Sequence, residues 1–473
     1  MVESGRPVAG NYDVAAALAR YPLMDALLSR RSRRFAPGMR LNGGPLAYAS
    51  EAPARPLTLE EEAALAFAAC GITGHALAEL PFEAGDEPGA GSGNIMTHFV
   101  GRTIASGDAM HDVTLFVIND EGTWLVRRPQ ELDRTEIPAL IELAKARDLV
   151  PLYERMRVRI SDHRPDVPRE APFVPPFNRY SANVPGTTYF LPVAEMSALF
   201  INLLLSAFDD DFAHFVVDDR NRFRPAGVAK FAKSRGGHLV DDLAAGRVGT
   251  VAHLETWVCE FVAIEQGAML QNLALMTQAL GLGGFPHFAA HPYTWFQQLG
   301  FRMRDIPFSR TIGGDPVMSG LLRLTGRDIP VPTALGLERD GHTLLRGFTP
   351  PYYRNMEEAV LAFIDYKYAA GTGTFRDGGK QTGWRDGAAV QAGIPKYSDK
   401  AIAATIACCD YLYRRYGRFP TCGPFRTVLA HQAHHVDHAF YDRFYRPDAL
   451  SPTQRDRVES PVAAPDLVTV PAP

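Results

Sequence analysis

Apolar positions recur at three- and four-residue steps most insistently over residues 265–284, EQGAMLQNLALMTQALGLGG. Ala268, Met269, Leu273, Met276 and Leu280 form one stripe, and Leu270, Leu275 and Ala279 fill much of the other face. A helix apolar nearly all round is buried in a large core or in a membrane. About seventeen helical residues span roughly 25 Å, the length of a central core helix. Its polar side chains, Gln271, Asn272 and Gln278, then need partners or a ligand. It ends in Gly281-Leu282-Gly283-Gly284, where glycine permits a left-handed cap and close backbone approach to a flat ligand. Taken alone, a core helix with a glycine cap is the simpler reading.

The same pattern places the other elements. Residues 21–31 read as an amphipathic helix with Leu23, Leu27 and Leu28 on one face. Thr58 followed by Glu61 opens a helix that runs to Cys70-Gly71. A Ser-Gly loop over 101–112 leads into a strand at 113–118, and a turn at 119–122 returns a partner strand at 123–127. Helices are predicted over 136–146, 357–370, 398–416 and 428–444, and the run 190–208 also reads as largely helical. Residues 83–95 and 371–396 read as glycine-rich loops, 167–177 as a proline-rich connector, and 286–355 as irregular. No internal repeat is visible.

Composition narrows the class. With 473 residues, 46% hydrophobic and 22% charged, the chain is globular and long enough for more than one domain. The reading divides it into 1–345 and a helical C-terminal extension over 346–473, with a disordered tail from about residue 450. A net charge of −4 gives no reason to expect nucleic acid. Five cysteines, odd in number and without a CxxC, fit a reducing compartment. The first 20 residues lack an apolar core run, and no apolar run of 18 residues is free of polar side chains. A cytoplasmic protein without a membrane span is therefore expected.

Candidate chemistry falls in four places. Arg30-Arg31-Ser32-Arg33-Arg34 puts four guanidinium forks around a hydroxyl, which suits a phosphate, although most charge runs are solvated patches. His431, His434 or His435, and His438 would share a helix face and could bind a metal with Asp437 or Asp442. The more economical reading of that face is packing and hydrogen bonding, so no metal is assigned. Cys408-Cys409 reads as buried small hydrophobes, and His287 and His291 as loop histidines that could face substrate.

Together, three motifs resemble the FMN-dependent nitroreductase superfamily. Arg30-Arg31-Ser32-Arg33-Arg34-Phe35 looks like its RRSxRxF opening. Residues 101–117 are similar to GRxxPSGGALYPxExYV of the branch with azoline-oxidising dehydrogenases, although Ala105 replaces the proline and Asp108-Ala109-Met110-His111 the Gly-Ala-Leu-Tyr run. Residues 265–284 are like its long dimer helix, QNxxLxxxALGLG. The resemblance covers about 20–300, with the motifs in family order.

The resemblance implies an α+β flavoprotein, an antiparallel sheet flanked by helices, forming a homodimer with FMN at the interface. Carried over by position, Arg30, Arg31, Ser32 and Arg34 would hold the FMN phosphate, with Arg346 a candidate for the late basic contact. Ser106 and Gly107 would lie near the isoalloxazine, Gln271 would meet its polar edge, and Gly283 and Gly284 would pass their backbone close to it. The implied activity is hydride transfer between flavin N5 and a small organic or peptide-derived substrate, with NAD(P)H a candidate reductant. No GxGxxG follows a strand, so nicotinamide would share the substrate face. The competing classes are a non-catalytic scaffold of the same fold, suggested by Asp108 and His111, and a metalloenzyme using the cluster from His431 to His438.

Overall fold

Two apolar runs of the sequence become the centre of one sheet. The computed structural model describes residues 21–79, 94–313 and 316–457, with isolated positions between 13 and 18; the side chains of Asp108 and Pro316 lie outside the description. The sheet is built from β1 (Val113–Asn119), β2 (Gly122–Val126), β3 (Arg157–Ser161), β4 (Thr188–Glu195), β5 (Gly283–His287), β6 (Phe425–Arg426) and β7 (Ala430–His434). Its order is β5-β7-β4-β1-β2-β3, antiparallel throughout, and β6 pairs the far end of β4. The β1–β2 turn falls at 119–122, as the sequence predicts.

Strand alternation sends each central strand into two cores. Leu115, Val117, Phe190 and Ala194 join a helical layer on one face. Phe116, Ile118, Tyr189, Leu191 and Val193 meet Trp295, Phe296 and Leu337 on the other. Those last residues belong to a helix at Pro292–Gln298 and a three-stranded antiparallel sheet of Phe301–Pro307, Pro330–Arg339 and His342–Arg346. The expected irregular region 286–355 thus holds the layer that covers the second face.

The helical layer contains α1 (Leu23–Ser29), α2 (Leu59–Cys70), α3 (Ser197–Phe208), α4 (Val251–Ala279), α5 (Met356–Tyr368) and α6 (Asp399–Tyr416). Helix α2 starts at a reciprocal cap. The Thr58 hydroxyl accepts from the Glu61 N–H at 3.2 Å, and the Glu61 carboxylate accepts from the Thr58 N–H at 2.9 Å. Helix α4 has 29 residues, about 43 Å at about 1.5 Å each, and starts from the Thr250 cap well before the expected residue 265. Glu255 and Glu260 hid this continuity; Glu255 is in fact buried. Among the described residues no helix is long and apolar enough to cross a membrane.

Two expected helices are corrected. The run 190–208 begins as β4 and turns helical only at Ser197. A strand buried on both faces loses its polar alternation and cannot be told from a buried helix by periodicity. The run 428–444 is β7 followed by a short helix, His438–Phe444, for the same reason: all five β7 residues are buried. The chain beyond 346 is therefore not an all-helical addition. It supplies β6 and β7 to the sheet, and Phe363, Ile402 and Leu412 share one core with Leu65 and Leu115. Residues 451–457 are ordered, with Gln454 fully buried and donating to the Leu282 carbonyl at 2.8 Å. Residues 458–473, and the glycine-rich loop as far as 93, lie outside the described residues.

Gly284 shows how closely β5 is packed. A Cβ there would stand 2.6 Å from the Gln432 carbonyl oxygen and 3.0 Å from His431 Nε2. Glycine to alanine in a strand ordinarily helps the strand. Gly284→Ala is expected instead to cost about 1–3 kcal/mol, since backbone cannot step aside. Urea unfolding with an unchanged slope would measure it.

Candidate functional site

The inner face of α4 carries polar side chains, and each fastens a different segment. Glu265 takes the Ser106 hydroxyl on Oε1 and the Val113 N–H on Oε2 at 3.1 Å. The His111 N–H closes this loop by donating to Ser106 Oγ at 2.9 Å. Gln266 donates to the carbonyls of Pro192 and Arg426 at 3.1 and 3.3 Å. Asn272 donates to those of Ala68 and Thr103, each at 3.0 Å. Gln278 accepts from the Arg33 guanidinium at 2.8 Å and donates to Ser451 Oγ at 2.9 Å.

The outer face of α4 is different. Trp257, Phe261, Ile264, Ala268, Gln271 and Leu275 follow alternating steps of four and three residues, the spacing of a helix–helix seam. Trp257, Phe261 and Ile264 are exposed, Ile264 to 61%. Helix α1 packs against α4 yet turns Leu23, Met24, Leu27 and Leu28 outward, Leu23 to 67%; only Ala26 is buried.

The sequence-predicted residues distribute along this helix. Arg30, Arg31, Ser32 and Arg34 are all exposed near its C-terminal end, where Arg33 is the buried member of the run. Arg33 forms a backbone bridge to Gly284, and its guanidinium also donates to the Ala449 carbonyl at 2.7 Å. Arg31 donates to the carbonyls of Leu28 and Arg30 at 3.0 Å. Arg30 and Ser32 have no side-chain partner among the described residues. Arg34 lies over the Phe285 ring at 4.6 Å and close to Tyr180. Tyr180 also lines an open cleft of about 760 Å³ that contains Arg40, Arg169 and Arg179, cations the sequence reading did not connect with the motif. Arg346 stands apart, at the wall of a separate cavity.

Ser106 and Gly107 sit beside the middle of α4, Gly107 with its α-carbon facing the Phe261 ring. Gln271 is exposed, not buried as its neighbours suggested. Gly283 and Gly284 are fully enclosed by the chain itself. A Cβ on Gly283 would meet His434 at 2.7 Å and the Arg33 carbonyl at 3.1 Å. Gly284 pairs Ala433 on one side and bridges Arg33 on the other. Their smallness serves this close approach of strands, so the expected backbone contact with a flat ligand is not available there.

The histidines do not converge. On a strand, successive side chains alternate between faces. The His431 ring pairs with the Thr277 hydroxyl at 2.9 Å, His434 Nδ1 with the His435 carbonyl at 2.7 Å, and His435 Nε2 with the Pro56 carbonyl at 3.2 Å. Among the described residues no group of three potential ligands could hold a metal. His111, next to the Ser-Gly loop, stacks on His98 at 4.9 Å and is held neutral by burial.

Buried acids around the Ser106 loop escaped the sequence reading. Burial pushes the Glu265 carboxyl up, against the pull of the Ser106 hydroxyl and Arg102. Burial, then the charge of Glu265, drives Asp112 well above the carboxylate range, with Arg128 opposing. Neighbouring acids of this kind share a proton as a pair. Glu265 was visible as the last charge before an uncharged helix; Asp112 gave no pattern at all.

No protein-family profile matches the chain, and no curated protein matches it. A crystal structure from Ralstonia eutropha JMP134, provisionally assigned as a nitroreductase, aligns at 13% identity over 64% of this chain and 81% of that one, with a TM-score of 0.29. Likeness at that level carries no argument about family or function.

Burial holds His98, His287, His431 and His435 down to about 3 and His434 to about 4. They are neutral when folded and take up protons on unfolding once pH drops below about 6.5. Stability is therefore expected to be full above about pH 6.5 and to fall steeply as pH decreases toward 4. Thermal melts across that range would show it, and added zinc should leave the melting temperature unchanged.

Proposed function

We propose that the chain is an FMN-dependent oxidoreductase of nitroreductase-like type, working as a homodimer on a small organic or peptide-derived substrate. The observation that carries this reading is the outer side of α4. It combines an exposed apolar seam, a Ser-Gly loop packed at Phe261, the exposed Gln271 and, after α1, the exposed Arg30, while Arg34 stands over Phe285 on the sheet face turned away from α4. Apart from Arg34, those are parts that the three sequence motifs imply.

The residues present fit the phosphate end and the loop of such a cofactor, and not the glycines. Arg30, Ser32 and Arg34 would hold the phosphate through guanidinium forks and a hydroxyl. Ser106 and Gly107 would border the ring, and Gln271 is an exposed polar group on the same seam. Gly283 and Gly284 hold the protein to itself. When bound, FMN supplies hydride exchange with a substrate, and NAD(P)H is the candidate reductant sharing that face. The chain contributes position and a proton reserve. Glu265 fixes Ser106 and the start of β1, and its own buried carboxyl, pushed up by burial, retains a proton there. A second copy on the seam would cover Trp257, Phe261, Ile264 and the α1 leucines, which a lone molecule leaves in water.

The purified protein is expected to be yellow or to take up FMN. The combined substitution Arg30→Ala, Arg34→Ala should weaken FMN about ten- to a hundredfold, the worth of one or two charge-assisted hydrogen bonds, while riboflavin, lacking the phosphate, binds unchanged. Fluorescence titration of both flavins checks this. A colourless protein that takes up neither would overturn the reading.

A further inference from the structure

A second chamber opens where the Ser106 loop runs into β1, with Met110 and Asp112 in its wall. It has a volume of about 570 Å³ and is bounded by the ends of β1, β2 and β4, by α5 and by the strand His342–Arg346. Leu125, Val158 and Phe363 give it apolar walls, and its ionisable groups are unequally satisfied.

Glu131 is saturated by Arg128, which donates from Nε at 3.0 Å and from Nη2 at 2.7 Å. Glu195 caps α3, accepting the Ser197 N–H at 2.7 Å, the Ser197 hydroxyl and the Ala198 N–H at 3.2 Å. Arg127 turns toward Glu136 at 3.9 Å. Asp112 is left over. It is 3% exposed and lines the chamber, and its carboxyl accepts no hydrogen bond among the described residues. An unpartnered buried acid is costly unless something meets it. Its neighbourhood is rich in negative charge: Glu131, Glu195 and Glu265 stand near it against Arg102 and Arg128. At the exposed edge of the chamber, Arg346 makes no ion pair among the described residues and only stacks on Tyr353 at 5.4 Å.

We propose that this chamber is a ligand site, separate from the flavin face, for a zwitterion of amino-acid size. Its ammonium meets Asp112 inside, its carboxylate meets Arg346 at the rim, and an apolar side chain fills the space between Leu125, Val158 and Phe363. The ammonium completes the unpaired carboxyl and offsets the surplus of acids. A neutral or purely anionic guest does neither.

Isothermal titration of the full-length protein with L-phenylalanine, phenethylamine and 3-phenylpropionate tests the site. The zwitterion should bind tightest, the amine next and the carboxylate not measurably. Asp112→Asn should weaken both amines by about a hundredfold or more, the loss when one partner of a buried charge pair is removed. Arg346→Ala, at an exposed position that folding does not need, should bring L-phenylalanine down to the level of phenethylamine. The combined Arg30→Ala, Arg34→Ala protein should bind the amines normally, which separates this site from the flavin reading. Binding of the carboxylate as tight as the amine, binding unaffected by Arg346→Ala, or no binding of any of the three to the unaltered protein would overturn the proposal.

Discussion

A helix of 29 residues with one side in the core must find a partner for every polar group it carries inward, and that constraint fixes the rest of the molecule. Along α4 those partners come from remote stretches of sequence. Glu255 receives the Thr421 N–H and hydroxyl, Glu265 holds the Ser106 loop, Gln266 bridges two strands, and Gln278 ties Arg33 to Ser451. An unsatisfied group at any of these points would cost about 1–3 kcal/mol. The helix is therefore a ruler on which the N-terminal arginine run, the Ser-Gly loop, β4 and the C-terminal segment take their places.

The outer side of the same helix obeys the opposite rule. Trp257, Phe261 and Ile264 on its seam are apolar and exposed, and the α1 leucines lie outward as well. Isolated apolar side chains on a surface need no explanation, whereas an exposed stripe beside an exposed apolar helix forms a contiguous patch. The functional reading rests on that contrast. The inner side holds the chain together, and the outer side carries the Ser106 loop at Phe261 and the exposed Gln271.

Much of this was legible because local rules and tertiary context agreed. Thr58 and Glu61 announced the start of α2, the turn at 119–122 announced the β1–β2 hairpin, and the charge-free run 266–279 announced the core helix. What could not be read were strands buried on both faces. The segments leading to β4 and β7 lack the polar alternation that marks a half-buried strand, so 190–208 and 428–444 looked like helices, and the histidines of β7 looked like one helical face. Gly283 and Gly284 turned out to be enclosed between strands, because a glycine needed for strand-to-strand contact is indistinguishable in sequence from one needed for a ligand. The acids Asp112 and Glu195 were missed because an isolated carboxylate carries no spacing, and only the fold shows it buried.

The central claim is that one face, the outer side of α4, both joins two copies and houses the flavin. Analytical ultracentrifugation followed at the protein and flavin absorbance bands, on the natural protein and on Ile264→Glu, tests it most directly. The account predicts a flavin-bearing dimer for the natural protein, and for Ile264→Glu a folded monomer that has lost its flavin together with its partner. A monomeric Ile264→Glu protein that keeps its flavin, or a natural protein that sediments as a flavin-bearing monomer, would contradict it.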